Sequence, residues 1–265
     1  MAETDSALNA APRAPHRWSS RVKAGLVHLG LSALVAAAVA ALVLALWYPF
    51  PYRDISGGRE LFLLIIGVDV IVGPLLTLVV FDRRKPRTER VRDVLTIVLL
   101  QAVALLYGMY TVYQARPAVI ALEGDRLRVV RPIDLANADW SKAPPGLDAP
   151  SLLGPIFVAA RAPTSAEKLD TIERGLAGED IGMRPSFWVA PTQTGAVYAQ
   201  AAKPIAKLLR LRPDGREAIE AALTGKRLTL DAVGYLPILA RRTDWSALVN
   251  LKDGAIIGYV PIDGF

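Results

Sequence analysis

The chain has 265 residues, 31 Lys/Arg against 25 Asp/Glu, 52% hydrophobic residues and a mean hydropathy of +0.32, an apolar balance that points to a protein lying partly in a membrane. The excess of basic residues argues for no nucleic-acid partner: residues 1–115 carry 12 Lys/Arg against 8 Asp/Glu and 116–265 carry 19 against 17, so no soluble face concentrates it. With no cysteine and only His16 and His28, the chain excludes disulfides and thiolate chemistry, and everything after residue 28 lacks the means for a Ser-His-Asp system or a histidine–zinc site.

Residues 1–20 are rich in Ala, Pro and polar residues without periodicity and read as a disordered tail. Arg13, Arg17, Arg21 and Lys23 precede an apolar run, 24–47, too long for a signal peptide and without an A-x-A site directly before Trp47. It reads as a retained first span. Ala33, Ala37, Ala41 and Ala45 recur every fourth residue along it, a small-residue stripe on which another helix can pack closely. His28 and Ser32, four apart, are helix-packing groups or the start of a proton path. An aromatic cluster, Trp47-Tyr48-Pro49-Phe50-Pro51-Tyr52, follows at the expected interface.

The second span, 61–81, is organised around a single charge, Asp69. A carboxylate at mid-membrane costs about 2.5–3.5 kcal/mol on insertion scales, so Asp69 is either functional or packed as a structural acid. Pro74 frees the carbonyl of Val70 from its helical bond. Asp69, Gly73 and Thr77 fall at i, i+4 and i+8, one stripe that should face protein and not lipid. The loop 82–93 carries Arg83, Arg84, Lys85, Arg87, Arg90 and Arg92. A third span, 94–113, is interrupted by Gln101, which shares a face with Ala104, Leu105 and Gly108 and sits at the level of Gly73-Pro74, within reach of the backbone Pro74 leaves open. The positive-inside bias puts the N-terminus and the 82–93 loop in the cytoplasm and residues 114–265 in the periplasm. The expected organisation is a 1–20 tail, a 21–113 three-helix transmembrane domain and a 114–265 periplasmic α+β domain with antiparallel hairpins.

Within that domain, strand-like 118–122 and 126–133 flank Glu123-Gly124-Asp125, and 155–160 is a further strand candidate. Thr164-Ser165-Ala166-Glu167 has capping-box form and opens a helix to about Gly175. Residues 187–190 are a weak strand, helical patterns cover 194–211 and 213–223, and 235–241, 246–251 and 255–260 are strands, the last two joined by Lys252-Asp253-Gly254. Ser165-Ala166-Glu167-Lys168 also matches the S-x-x-K of penicillin-recognising enzymes, but no S-D-N follows and Thr224-Gly225-Lys226 is not K-T-G, so capping is the better reading. No phosphate-loop pattern occurs.

The chain resembles the type IV pilin accessory proteins of the bacterial inner membrane. The resemblance is carried by 47–52 and Ile55-Ser56-Gly57-Gly58, by the long run Gly67 to Leu78 (GVDVIVGPLLTL), by Arg92-Asp93, Leu99-Leu100-Gln101 and Tyr107-Gly108, and by Thr111 to Pro117. Arg241-Arg242 and Gly258-Tyr259-Val260-Pro261-Ile262-Asp263 extend it to the C-terminus. It implies a chaperone-like assembly factor with no catalytic residues, no cofactor and no metal, and a type IV pilin as partner beside the lipid bilayer. Pilins likewise resemble one another in holding an apolar N-terminal helix in this membrane with a globular head outside. Two other classes stand beside it: a membrane-anchored periplasmic sensor or binding protein, and a membrane-anchored serine hydrolase using Ser165 and Lys168.

Overall fold

The computed structural model describes residues 16–241 and 244–265, so most of the expected N-terminal tail and Arg242 lie outside the described residues. Among the described residues, three helices are long and apolar enough to cross a membrane, Ser19–Trp47, Gly58–Val80 and Arg87–Ala115. The first is α1, His16–Ala40, continued by a π-helical stretch, Ala41–Trp47. A short α2, Tyr52–Ile55, precedes α3, Gly58–Val80, and α4 runs Arg87–Ala115. Helix α1 thus starts at His16, ahead of the expected span, and α4 starts at Arg87 because Glu89, Arg90 and Arg92 are good helix formers that need no apolar environment.

The chain forms two compact units, one ending at Ala38 and resuming over Leu64–Gly108, the other comprising Val39–Leu63 and Met109–Phe265. In the first, large apolar side chains such as Leu64, Val79 and Leu106 are two-thirds or more exposed, which suits hydrocarbon and not water.

The second unit is built on a mixed seven-stranded sheet, ordered β3-β1-β2-β5-β6-β7 with β4 on β5. Its strands are β1 Val119–Glu123, β2 Arg126–Val130, β3 Ile156–Ala159, β4 Lys203–Pro204, β5 Val233–Leu239, β6 Ser246–Asn250 and β7 Ile256–Val260. The β1–β2 and β6–β7 hairpins turn at Gly124 and Gly254, whose φ of +62° and +73° suit a residue without Cβ. The sheet is not purely antiparallel, however. β1 pairs β3 in parallel, and β2 pairs β5 in parallel at Leu127↔Ile238 and Arg128↔Leu239. Parallel neighbours need long crossovers, and local turn signals carry no trace of them.

Alternation sends Ile120, Leu122, Leu236, Ile238, Ala247 and Val249 to one face, where they pack with α2 and with Tyr198 of α6 (Pro191–Ala201). The opposite face holds two clusters: Val119, Ala121 and Val158 with Met183 and Trp188, and Val233, Tyr235 and Leu248 with α7 (Ile205–Leu211) and α8 (Arg216–Leu223). Strand β1 is buried on both faces, which explains its apolar run Val119–Leu122. The helical pattern of 194–211 is split at 202–204, because Pro204 lacks an amide donor and disfavours helical geometry at Lys203. Residues 187–190 form no strand, only an isolated bridge of Trp188 to Ala160 after a 3-10 turn at Pro185–Phe187.

Candidate functional site

Two arrangements hold the residues singled out in the sequence. The first is a polar seam in the helical unit. Asp69, Gly73 and Thr77 are all buried along one side of α3. Gln101 Nε2 donates to the Asp69 carbonyl oxygen and to Asp69 Oδ1, 3.0 Å each. Gln101 therefore bonds Asp69 itself and not the Val70 carbonyl that Pro74 leaves open. A Cβ on Gly73 would collide with the Gln101 amide, and one on Gly108 would come within 2.8 Å of Ile65. These two glycines bring α3 and α4 close enough for the amide to bridge them. Further along the same stripe, His28 Nδ1 is hydrogen-bonded to Thr77 Oγ1 at 2.6 Å, and Gly25 packs beside the Pro74 carbonyl. His28 thus has a defined partner on α3. Arg21 pairs with Asp82 at 3.2 Å and Lys85 with Asp93 at 2.6 Å, tying the basic loop to the helix ends.

The face of α1 turned inward carries Gly25, Ser32 and Ala36. Ala33, Ala37, Ala41 and Ala45 are all exposed, on a face the bundle does not use.

The second arrangement is an aromatic collar in the sheet unit. Tyr48, wholly buried, donates from its hydroxyl to the Val112 carbonyl at 3.0 Å, and its ring lies where a side chain on Gly58 would sit. Tyr52 and Tyr259 share a hydrogen bond between hydroxyls at 3.1 Å, with rings edge to face. Phe50 lies edge-on against Trp245, and Trp47 against Tyr113. Arg116, also wholly buried, stacks 4.4 Å from the Tyr113 ring centre and donates to the Ser151 carbonyl at 2.6 Å. Burial pushes the hydroxyls of Tyr48, Tyr52 and Tyr259 above their ordinary range, so all three stay neutral donors at any physiological pH. Packed and hydrogen-bonded, these side chains hold the collar loop against the sheet unit.

Comparison with known proteins bears on both arrangements. The profile of the fimbrial assembly protein FimB matches residues 16–57, which are α1, its π-helical continuation and the collar loop. The fimbrial assembly protein of Dichelobacter nodosus serogroup I is 34% identical over 252 residues, 94% of this chain and 98% of the relative. That of serogroup E1 is 33% identical over the same shares, and that of serogroups C1 and C2 is 40% identical over 119 residues, 45% of this chain and 91% of the relative. The chain belongs to the fimbrial assembly protein family. No solved structure matches it.

In this member of the fimbrial assembly family, several of the segments that carried the resemblance meet in space at the collar: 47–52, Gly57-Gly58, Tyr113, Arg116, Arg241 against Gly57, and Tyr259. Sequence reasoning placed 47–52 at an interface but found none of these partners, since the pairs stand up to 207 residues apart. Ser165 and Lys168 are both exposed, with Lys168 the first residue of α5, Lys168–Leu176. A hydrolase needs that pair buried together in a cleft, and the fimbrial assembly fold does not provide one there. Glu167 instead accepts from Thr164 N at 2.8 Å, from Thr164 Oγ1 and, in bidentate fashion, from Arg161, so half of the capping box is present. Among the described residues, no group of three or more His, Asp or Glu side chains is placed to hold a metal ion.

Proposed function

We propose that this protein is an inner-membrane accessory factor for type IV pilin, acting as a chaperone-like holder in pilin stability, assembly or pilus dynamics, with its N-terminus in the cytoplasm and its sheet domain in the periplasm. The observation that carries the reading is the relationship to fimbrial assembly proteins over 94% of this chain, which spans the helices and the sheet domain alike. The exposed Ala33–Ala45 stripe supports it. Small residues there let a second helix approach closely, and no helix among the described residues occupies that face. A pilin presents an apolar helix in the membrane and a head outside it, so contact through both parts reinforces each through effective concentration.

The test is a chromosomal deletion combined with in-cell photo-crosslinking. Surface pili and pilin-dependent motility should fall while the assembly ATPase and secretin stay at normal levels. A photoreactive residue at Ala37 should capture pilin, and one at Ser32 on the inward face should not. Normal piliation, with no pilin captured, would remove the proposal.

A further inference from the structure

We propose that the sheet domain is seated on the outer bilayer surface through two apolar protrusions, the loop tip Leu152-Leu153 and the outward face of α5. The proposal rests on the reading of the three long helices as membrane spans.

Leu152 and Leu153 are each 64% exposed on a turn that the rest of the loop clamps in place. Arg116, in the residue directly after α4, donates to the Ser151 carbonyl, and the Leu153 amide donates to Ser151 Oγ at 3.1 Å. On the other side of the tip, the Cβ position of Gly154 lies 3.3 Å from the Leu46 carbonyl, near the outer end of the first span. The tip is thus held between the outer ends of the first and third spans. Trp47 and Tyr113, in contact with each other, mark the same level, and such rings favour the headgroup region.

Helix α5 is amphipathic in the inverted sense. Leu169, Ile172 and Leu176 fall at i, i+3 and i+7 on one stripe and are 68%, 60% and 86% exposed. The side turned to the domain is polar or small: Asp170 pairs with Arg184 at 2.6 Å, and Thr171 and Gly175 are half-buried. Gly178, just past the end of α5, lines the same cleft as Ser56 and Ala115, the residues beside the start of α3 and at the end of α4. The C-terminal end of α5 thus opens onto the cleft bordered by the start of α3 and the end of α4. Water is a poor occupant for such a stripe, and the interfacial zone of a bilayer, which every span exit must border, is a good one.

The absence of cysteine makes single-site labelling clean. Nitroxide labels at Leu153→Cys and Leu176→Cys, in the full-length protein reconstituted into phosphatidylethanolamine/phosphatidylglycerol vesicles, should collide with oxygen more often than with a water-soluble nickel chelate. A label at exposed Glu220→Cys on α8 should show the reverse, and one at Leu99→Cys within α4 should report hydrocarbon. If either test label behaves like Glu220→Cys while Leu99→Cys reports lipid, the seating is wrong and the membrane reading survives. If Leu99→Cys also reports water, both fall together. Test labels that face water in vesicles and become immobilised only when pilin is added would assign these leucines to a protein interface and overturn the proposal.

Discussion

Gln101 and Asp69 show how one polar contact can set the spacing of two long apolar helices. The amide donates twice to the same residue, once to its backbone and once to its carboxyl, and it reaches both because Gly73 leaves room. Gly73→Ala should therefore destabilise the bundle by about 1–3 kcal/mol, the usual cost of overpacking. The double variant Gly73→Ala/Gln101→Ala should recover part of that loss, as measured by unfolding of the purified protein in detergent. Asp69→Asn keeps an acceptor in place and should hold stability and piliation, whereas Asp69→Leu should lose about 0.6 kcal/mol, up to ~1.7, and Asp69→Lys more. Loss of function in Asp69→Asn at unchanged protein level would make proton exchange the better account. The stripe of Asp69, Gly73 and Thr77 is readable from spacing alone, because helical periodicity is local. The choice between Asp69 and the Val70 carbonyl as partner of Gln101 is not, because it turns on a fraction of a helical turn between two chains of atoms that sequence does not align.

At the scale of elements, the collar loop is a structural part of the domain it precedes. Tyr52, from α2, is in the core formed by β1, β5, β6 and α6, and its hydroxyl reaches Tyr259 on β7. Tyr52→Phe should cost about 1 kcal/mol in thermal unfolding for the lost hydrogen bond, and Tyr52→Ala about 3–5 kcal/mol for the cavity. Near-equal losses in the two variants would mean that packing contributes little here. A boundary drawn from hydropathy at 113/114 separates the loop from this core, since hydropathy sees only the spans. Hairpins at Gly124 and Gly254 were legible because turn and strands are contiguous, and the parallel pairings were not, because their partners lie across whole helices. Helix α5 shows both sides of this. Its start is legible in Glu167, whose carboxyl is held below the ordinary carboxylate range by Arg161 and then by Thr164. A depressed folded value means that this contribution is present above the unfolded value of about 4.3 and is lost only as pH falls through the lower folded one. The Glu167 carboxyl should thus titrate well below a free glutamate by NMR, and an ordinary midpoint would show that the cap is not formed. Which way the α5 stripe faces could not be read, because an amphipathic pattern predicts an apolar face turned inward and here it points out.

For the molecule as a whole, six basic residues in the twelve-residue loop 82–93, against two in residues 49–60, predict a cytoplasmic N-terminus and a C-terminus on the other side. A phosphatase fused at Phe265 should be active and a fluorescent protein there dark; bright fluorescence would reverse the topology. Given that orientation, the two-part contact with pilin makes a stricter demand. If each part contributes separately, the sheet domain moved onto an unrelated anchor should restore piliation only in part, because it keeps the head contact and loses the Ala33–Ala45 face. The collar complicates the exchange, since Tyr48 and Tyr52 are needed to complete the domain core, so the replacement anchor must end before Trp47. Crosslinks from residues 114–265 to the cognate pilin should persist in this chimera at reduced yield. A pilin from an unrelated system should be captured less at both places, because discrimination requires matched surfaces at each. Full rescue by the chimera would show that the helices serve only as an anchor, and the alanine stripe would then have no part in recognition.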